Sequence, residues 1–401
     1  MTGIRGETNF GKLLDHQKTT WSKSVWRSVR QNSFIMQRAG TGMNSAIQRI
    51  TELSKSEKGT RAVITLVPDL EGDGVVGDHE LEGNEEEAKA YDQMIQIDQM
   101  RNANKLSGRM ADQATVVQFR QTSRDLLSFW MSDRVDQIAA LALAGKDFRH
   151  NTNGSLRKGF TVDDSGNIER DTSTAPTGKT FYDLDFAADV AAPSAGRHFR
   201  WDKSEGRLRE GDTAAIEPED TISYASLVEL RAYAKDRRIK SLRAGDQELY
   251  HVFLSPQCMA RLKLDQDFLA NIRNAGARGN NNPLFSGAIV TVDGLVLHEF
   301  THSFNTLGAK EGSGETDANK PGYKWGAEAQ TDGNRVTLLG AQALAFADIG
   351  IPEWDERDHF DYGAKPGISI AKILGFMKPK FYNPWEGETE DFGVVAMDVA
   401  I

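Results

Sequence analysis

The chain has 401 residues, of which 39% are hydrophobic and 26% are charged, and its formal net charge is −10 at pH 7. This composition is close to that of an ordinary globular protein with one elaborated domain or two to three smaller ones. The acidic balance argues against a protein whose main task is to bind nucleic acid. The sequence has no run of 18 apolar residues and no apolar secretory signal at its start. The single cysteine, Cys258, excludes an internal disulfide framework and fits a reducing cytosol.

The first 50 residues carry few strand signals and several large aromatic and basic residues, including Trp21 and Trp26. The stretch WSKSVWRSVRQNSFIMQRAG is compatible with a helix, although its aromatic and arginine residues do not separate onto one face. Two interpretations remain open for this segment. It is either an arm that packs on another molecule or a terminal helix that docks on its own domain.

Residues 61–67 (RAVITLV) and 91–100 (YDQMIQIDQM) alternate polar and apolar side chains, which predicts two strands. Between them lies the acidic, glycine-rich segment of residues 68–89. Two strands joined by so long a polar tip predict an extended hairpin arm rather than a tight turn. Exposed strand edges invite pairing, so we expect another subunit to cover this arm.

Residues 112–145 form the longest uninterrupted helical pattern in the sequence. Asp112 is the predicted N-cap, and Gly145 is the predicted stop because glycine readily enters the left-handed conformation. A helix of this length measures roughly 50 Å and needs a sheet or neighbouring subunits to cover its apolar face. That face is predicted to consist of Phe119, Leu126, Leu127, Trp130, Met131, Val135, Ile138, Leu141 and Ala142.

Residues 147–220 are dominated by small and polar residues, which predicts a long irregular insertion or a domain boundary. Further along, Asp293-Gly294 is the strongest hairpin signal in the chain. The second half is predicted to contain helices over 223–240 and 256–275, strands over 248–255, 288–292 and 294–300, and apolar stretches over 335–349 and 367–376.

The pentapeptide HEFTH matches a zinc-peptidase pattern, with His298 and His302 as ligands and Glu299 as the base. That chemistry needs both imidazoles on one helix face. Here the motif follows a predicted turn at the end of a strand, where positions four apart are separated by about 13 Å. The sequence therefore favours a strand end that carries two histidines over a zinc site.

The segment from Asp69 to Glu80 resembles a calcium-binding loop, with further carboxylates at Glu71 and Asp73. A proline and a strand-like segment precede it where such a loop requires a helix, so an acidic hairpin tip is the better interpretation. Residues 178–180 (GKT) echo a phosphate-binding loop but lack its first glycine and its preceding strand. We therefore expect no catalytic site, no resident metal and no cofactor.

Several long segments together resemble the major capsid proteins of tailed bacteriophages, nearest to the N4-like branch with the Hong Kong 97 fold. They are AVITLVPDLEGDGVVGDHELEGNEE, GRMADQATVVQFRQTSRDLLSFWMSDRVDQIAALALAG, PLFSGAIVTVDGLVLHEF, and VTLLGAQALAFADIG followed by DYGAKPGISIAKILGFMKPKF. The resemblance covers most of the chain and is weakest over 147–220. These long strings are more specific than any single short motif.

The resemblance implies an α+β capsid fold in five parts. It implies an N-terminal arm (1–60), an extended β-hairpin loop (61–108), a peripheral domain with the long spine helix and an irregular insertion (109–220), an axial domain (221–350) and a C-terminal return to the peripheral domain (351–401). It also implies a protein that is not an enzyme and that builds an icosahedral shell from hexamers and pentamers around double-stranded DNA.

The partners implied are other copies of the chain, a separate scaffolding protein, a portal protein, cement or decoration proteins, and packaged DNA as a non-specific neighbour, with no membrane. The expected location is the virion, after synthesis in the host bacterial cytoplasm. A soluble zinc peptidase and a cellular nanocompartment shell of the same fold remain as alternatives. The residues predicted to lie in interfaces between subunits are Trp21, Trp26, Glu71, Asp73, Asp78, Glu80 and Glu82.

Overall fold

The computed structural model describes residues 15–51, 59, 61–66, 74–83, 85, 91–106, 119–174, 181–245, 247–275, 290–357, 365–383 and 387–401. The chain mixes helices and sheets. None of the described helices is long and apolar enough to cross a membrane. The α-helices of the described residues are α1 (Asp15–Asn32), α2 (Phe119–Ala144), α3 (Tyr224–Asp236), α4 (Pro256–Leu264) and α5 (Gln266–Ala275).

The strands of the described residues fall into two large sheets and three two-stranded ladders. In chain order they are β1 (Ala39–Gly40), β2 (Ile47–Ile50), β3 (Arg61–Leu66), β4 (Tyr91–Gln96), β5 (Asp98–Lys105), β6 (Phe160–Val162), β7 (Ile168–Arg170), β8 (His198–Asp202), β9 (Arg207–Glu210), β10 (Leu242–Ala244), β11 (Gln247–Leu254), β12 (Val290–Val292), β13 (Leu295–Glu299), β14 (Gly333–Leu339), β15 (Leu344–Arg357), β16 (Gly367–Met377), β17 (Lys380–Asn383), β18 (Glu388–Asp391) and β19 (Val394–Ala400).

The first large sheet has the order β1-β2-β15-β16-β5 and is covered on both faces. Successive side chains of a strand point to opposite faces. On β15, Phe346 joins the core that α1 and α2 contribute, whereas Ala345 and Ala347 pack with Ile64 and Leu66 of the β3–β4 hairpin. The predicted hairpin is therefore confirmed, and its base packs on its own chain.

The second large sheet has the order β12-β13-β11-β14-β19-β8-β9, with β10 paired to β11. Helices α3 and α4 contribute Leu227, Leu230 and Leu262 to its apolar core. The β12–β13 hairpin predicted at Asp293-Gly294 is confirmed, because both residues have the positive φ that a type I′ turn requires.

Part of the segment predicted to be irregular belongs to this second sheet. Strand β8 pairs in parallel with β19, and β9 pairs with β8 as a hairpin. Trp201 is 1% exposed in the core, so one buried ring anchors a segment that is otherwise polar. Strand β19, within the range predicted to return to the peripheral domain, lies here beside β14. The sequence does not predict that strands which follow one another along the chain belong to different sheets.

Helix α2 ends where the sequence predicts. The N–H of Lys146 donates to Leu141 O at 2.9 Å and that of Gly145 to Ala142 O at 3.2 Å, with Gly145 at φ +63°. This is a Schellman C-cap. The predicted N-cap Asp112 lies outside the described residues.

The predicted buried face of α2 is wrong at Leu126, which is 56% exposed. The buried face instead includes Leu127 and Met131 together with the small polar residues Ser128 and Ser132, and the helix packs against α1 and the first large sheet. Small side chains let a helix approach its neighbours closely even when they are polar. A buried face predicted from hydrophobicity alone therefore omits these serines. Leu126 and Phe129, which is 58% exposed, leave an apolar pair on the outer face of α2.

Two other predicted elements are divided in the structure. The helix predicted over 256–275 breaks at Asp265, whose carboxylate accepts a hydrogen bond from the Tyr224 N–H at 2.9 Å. The strand predicted over 91–100 divides at Ile97, so that β4 pairs with β3 while β5 pairs with β16. The division places the hairpin and the first large sheet next to each other.

Candidate functional site

The HEFTH motif lies at the end of a strand and in the turn after it. His298 belongs to β13, directly opposite Phe253 of β11 in the parallel ladder, and is 4% exposed. His302 lies in the following turn. The motif therefore lacks the helix face on which a zinc peptidase presents both imidazoles.

The two imidazoles also have separate partners. His298 Nδ1 accepts from Arg38 at 3.2 Å, and its Nε2 donates to His251 Nδ1 at 2.8 Å, so both rings are neutral. Burial, followed by the charges of Arg38 and His251, lowers the pKa of His298 to about 3. His302 Nε2 lies 2.9 Å from Asp133 Oδ1. Among the residues that the structure describes, no group of three or more potential ligands is placed to hold a metal ion.

His298 belongs to a junction of three segments. The ring of Phe34, just after α1, stacks on Phe300 with centroids 4.4 Å apart, and Arg38 lies 3.6 Å above the same ring. The Asp136 carboxylate of α2 accepts from Ser33 Oγ at 2.6 Å and from the next two backbone amides at 2.9 and 3.1 Å. The junction therefore joins the end of the N-terminal helix, the long helix and the second sheet.

A second buried group of charges links the long helix to the same sheet. Arg335 of β14 and Asp398 of β19 are register partners, and the guanidinium contacts both carboxylate oxygens at 2.7 and 2.8 Å. His198 Nε2 of β8 lies 2.7 Å from the same carboxylate. Arg335 also donates to the carbonyl oxygen of Ala144, at the end of α2, at 2.9 Å. This group fixes the end of the long helix on three strands.

The calcium-loop candidates are only partly covered by the structure. Asp69, Glu71 and Asp73 lie outside the described residues, as do residues 178–180 of the phosphate-loop candidate. Glu80 is described and is exposed. The ion-binding interpretations of these segments stay untested predictions.

The described tip of the hairpin is acidic and presents apolar side chains. Asp78, Glu80 and Glu82 are all exposed, and the interface between subunits predicted for them stays a prediction. Val76 is 79% exposed and Leu81 is 59% exposed. Contiguous exposed apolar surface rimmed by polar residues marks interaction sites, so these two side chains are candidates for the contact predicted between subunits.

The outer face of the hairpin base carries a second apolar pair. Val63 of β3 and Met94 of β4 are directly opposite each other in the ladder and are 47% and 57% exposed. The inner face, with Ile64 and Leu66, is buried. The base thus packs on its own chain through one face and leaves the other face exposed.

The two N-terminal tryptophans pack against the first sheet of their own chain. Trp26 is 8% exposed, and Lys372 Nζ lies 4.3 Å from the centre of its ring system. Trp21 is half-buried and lies 5.7 Å from Trp354. The described helix is therefore docked on its own domain. The contact with another subunit predicted for these residues stays a prediction, with more accessible surface at Trp21.

Comparison with known proteins decides the family. The family model described as "Phage capsid protein" matches residues 9–401. The chain belongs to the phage capsid protein family. It is 52% identical over 396 residues to the major capsid protein of Pseudomonas phage KPP25, covering 98% of this chain and 97% of the relative. It has the function of a major capsid protein of a tailed phage.

Solved capsid structures share the fold. The capsid of Ralstonia phage GP4 has a TM-score of 0.69 at 24% identity, and the capsid asymmetric unit of cyanophage Pam1 has a TM-score of 0.64 at 18% identity. Each likeness covers 92% of both chains. Assembly of a shell from copies of the chain follows from family membership, and none of these matches favours the zinc peptidase or the nanocompartment shell.

Sequence reasoning missed both buried charge groups. Arg335 and Asp398 each stand among mostly apolar residues, in RVTLLG and VVAMDVA, which is a usable signal because an unpaired charge is rarely buried. The interpretation of His298 as a strand residue is confirmed. Its partner Arg38, however, is 260 residues away along the chain, so the sequence does not predict their contact. Such pairs need the topology before they can be assigned.

Proposed function

We propose that copies of this chain assemble through hexamers and pentamers into an icosahedral shell around double-stranded DNA, with a Hong Kong 97-like subunit fold of the N4-like branch. Membership of the capsid family supports the proposal, as do the two covered sheets joined by one long helix. Head-to-tail contacts between identical chains close into rings when the rotation closes. Rings of six and five then enclose a volume.

The proposed division of labour follows the two sheets. The long helix and the five-stranded sheet would form the peripheral domain, and the eight-stranded sheet would form the axial domain at ring centres. The N-terminal arm is placed in 1–60 and the extended loop in 61–108, with the peripheral segment in 109–220 and the axial segment in 221–350. The pairing of β19 with β14 supports assigning the last seven strand residues of 351–401 to the axial domain.

Three exposed apolar pairs support packing between subunits. They lie at the hairpin tip, on the outer face of its base and on the outer face of α2, and none is covered within the described chain. These pairs are Val76 and Leu81, Val63 and Met94, and Leu126 and Phe129. Each contact is small, but simultaneous contacts multiply in strength once a subunit sits in a ring. A shell can therefore be stable without any single strong interface.

The proposal includes further partners that the family context supports. A separate scaffolding protein would guide assembly, a portal protein would occupy one vertex, and cement proteins would decorate the surface. The packaged DNA would be a neighbour without sequence readout. Synthesis in the host bacterial cytoplasm fits the one cysteine, Cys258, which is buried and free.

Electron microscopy of the purified chain tests the proposal, with and without the co-expressed candidate scaffolding protein. We expect closed shells, tubes or hexamer rings in at least one condition. Uniform small particles in both conditions would contradict self-assembly into a shell. Five-fold vertices in the closed particles would support icosahedral symmetry.

Removing the hairpin tip should block assembly and leave the subunit folded. We expect deletion of residues 71–83 to change the melting temperature little, because all described residues of this segment but Val75 are exposed. Shell yield by sedimentation and microscopy should fall at least about tenfold, since the tip's carboxylates and apolar residues are lost together. A matched variant with the same segment replaced by a Gly-Ser linker of equal length separates the role of these side chains from that of loop length. Normal shells from both variants would sink the proposed role of the tip.

A further inference from the structure

A groove between α1 and α2 is lined mainly by hydrogen-bond donors. Its volume is about 210 Å³, and its walls are formed by Ser24, Val25, Arg27, Ser28, Gln31, Arg124, Asp125 and Ser128. The one carboxylate, Asp125, already contacts the guanidinium of Arg124 at 2.8 and 2.9 Å. The groove therefore offers guanidinium, hydroxyl and amide donors to an incoming group that accepts hydrogen bonds.

The groove contains a buried hydroxyl, that of Ser128, which lacks a hydrogen-bond partner among the described residues. Ser128 is 2% exposed, and its hydroxyl has no hydrogen-bond partner within the described structure. Ser132, one turn later, instead donates to the Phe129 carbonyl oxygen at 2.9 Å. A buried hydroxyl without a partner is unfavourable, so an oxygen-rich ligand in the groove would supply what the helix does not.

The exposed face of α1 continues the positive charge beyond the groove. Lys23, Arg27 and Arg30 are exposed at spacings of four and three residues, which place them on one helix face. No carboxylate among the described side chains forms an ion pair with them. Together they span about 10 Å of helix, a length over which a DNA duplex presents several phosphates.

We propose that this groove binds a backbone phosphate of the enclosed nucleic acid, with Lys23 and Arg30 contacting the flanking phosphates. Arginine forks bind phosphate oxygens in pairs, and Arg27 supplies such a fork. Arg124, which contacts Asp125 through two of its nitrogens, and the Ser128 hydroxyl add further donors on the same groove. A regular row of cations suits a polymer of regularly spaced charges. The contacts carry no sequence readout, because they reach only the backbone.

The net charge of −10 does not oppose this assignment. Four of the chain's acidic residues that the structure describes, Asp78, Glu80, Glu82 and Glu85, lie on the hairpin tip and not at the groove. Binding at the groove depends on the local surplus of cations, because salt screens the repulsion from carboxylates that are more than about 10 Å away. Only the naming of DNA rests on the proposed capsid function. Duplex binding by the groove can be measured whether or not shells form.

Fluorescence anisotropy with a labelled random-sequence duplex of about 20 base pairs, from about 50 to about 200 mM salt, tests the proposal. The Lys23→Gln/Arg27→Gln variant should lower the slope of log affinity against log salt by about 2 and weaken binding at least tenfold. Ser128→Ala should weaken binding several-fold without lowering the melting temperature, because its hydroxyl has no partner to lose.

The matched control is Arg261→Gln/Lys263→Gln, which removes one arginine and one lysine from the exposed face of α4. It should leave affinity and salt slope unchanged. Equal losses in the control would show non-specific attraction and overturn the site. Polyglutamate that binds in the same groove while the duplex does not would identify an acidic protein partner instead. Wild-type shells without duplex binding would overturn this site and leave the capsid function standing.

Discussion

Replacing Arg335 by methionine is expected to lower the free energy of unfolding by about 3 to 5 kcal/mol, because Asp398 loses its main counter-charge. Both residues are buried, Arg335 at 3% and Asp398 at 0% exposure. Burial alone would raise the pKa of Asp398. The charge and hydrogen bonds of Arg335, followed by those of His198, instead hold that pKa well below its usual range. Removing the arginine leaves a buried carboxylate with one histidine beside it.

The same substitution should loosen the junction between the long helix and the second sheet. Arg335 is the residue that holds the Ala144 carbonyl at the end of α2. Helix ends leave their last carbonyls without partners inside the helix, so a buried donor there has a local role. We expect faster hydrogen exchange at the last turn of α2 and in β14 of the variant, which global unfolding alone does not predict.

Urea unfolding followed by circular dichroism measures the effect. Arg209→Met is a matched control, because Arg209 is half-exposed and its ion pair with Glu205 lies at the surface, where such pairs add little stability. The double variant Arg335→Met/Asp398→Leu should regain at least half of the lost stability, since it removes the buried carboxylate together with its counter-charge. A single Arg335→Met variant as stable as Arg209→Met would show that the buried pair is not what holds the strands.

The sequence predicts those parts of the fold that local patterns specify. The alternation in RAVITLV, the Asp-Gly turn and the Gly145 stop each depend on a few neighbouring residues, and all three are found in the structure. The wrong assignment of Leu126 has a different cause. Which face of a helix is buried depends on the elements that pack against it. In α2, Ser128 and Ser132 are buried whereas Leu126 is exposed, which hydrophobicity alone does not predict.

The candidate sites are less predictable because their members are distant along the chain. Arg335 contacts residues 63, 137 and 191 positions away, and His298 meets Arg38 across 260 positions. No pattern of spacing connects such residues. The parallel pairing of β8 with β19 is equally long-range, which explains why the polar sequence around β8 predicts an irregular insertion or a domain boundary instead of a strand. The HEFTH motif could be interpreted correctly, since the hairpin before it is a local feature.

Acidification should destabilise the chain through its buried neutral histidines, and His298→Gln should remove part of that dependence. The pKa of His298 is lowered to about 3, that of His150 to about 4 mainly by burial, and that of His251 is also lowered. Each binds a proton in the unfolded chain near pH 6.5 but not in the folded chain. Stability is therefore complete above pH 6.5 and falls as the pH drops toward the folded pKa values, by about 1.4 kcal/mol per pH unit each for His298 and His150.

Geometry explains why neither ring of the junction accepts a proton without loss. A proton on His298 Nδ1 would face the guanidinium of Arg38, and a proton on His251 Nδ1 would face the His298 N–H. The nearby carboxylates do not remove this conflict, because Asp136 accepts from Ser33 and two amides while Asp133 contacts His302. Acid should therefore loosen the end of the N-terminal helix first.

Glutamine reproduces the neutral ring, since its oxygen can accept from Arg38 and its amide can donate to His251. His298→Gln should match the wild type near pH 7.5 and reduce the slope of stability against pH between about 6 and 4 by about 1.4 kcal/mol per pH unit. The matched control is His302→Gln, which removes a histidine of the same motif but leaves the contacts of His298 with Arg38 and His251 intact. Unfolding at a series of pH values measures all three chains, and equal slopes for wild type and His298→Gln would show that this ring does not carry the acid sensitivity.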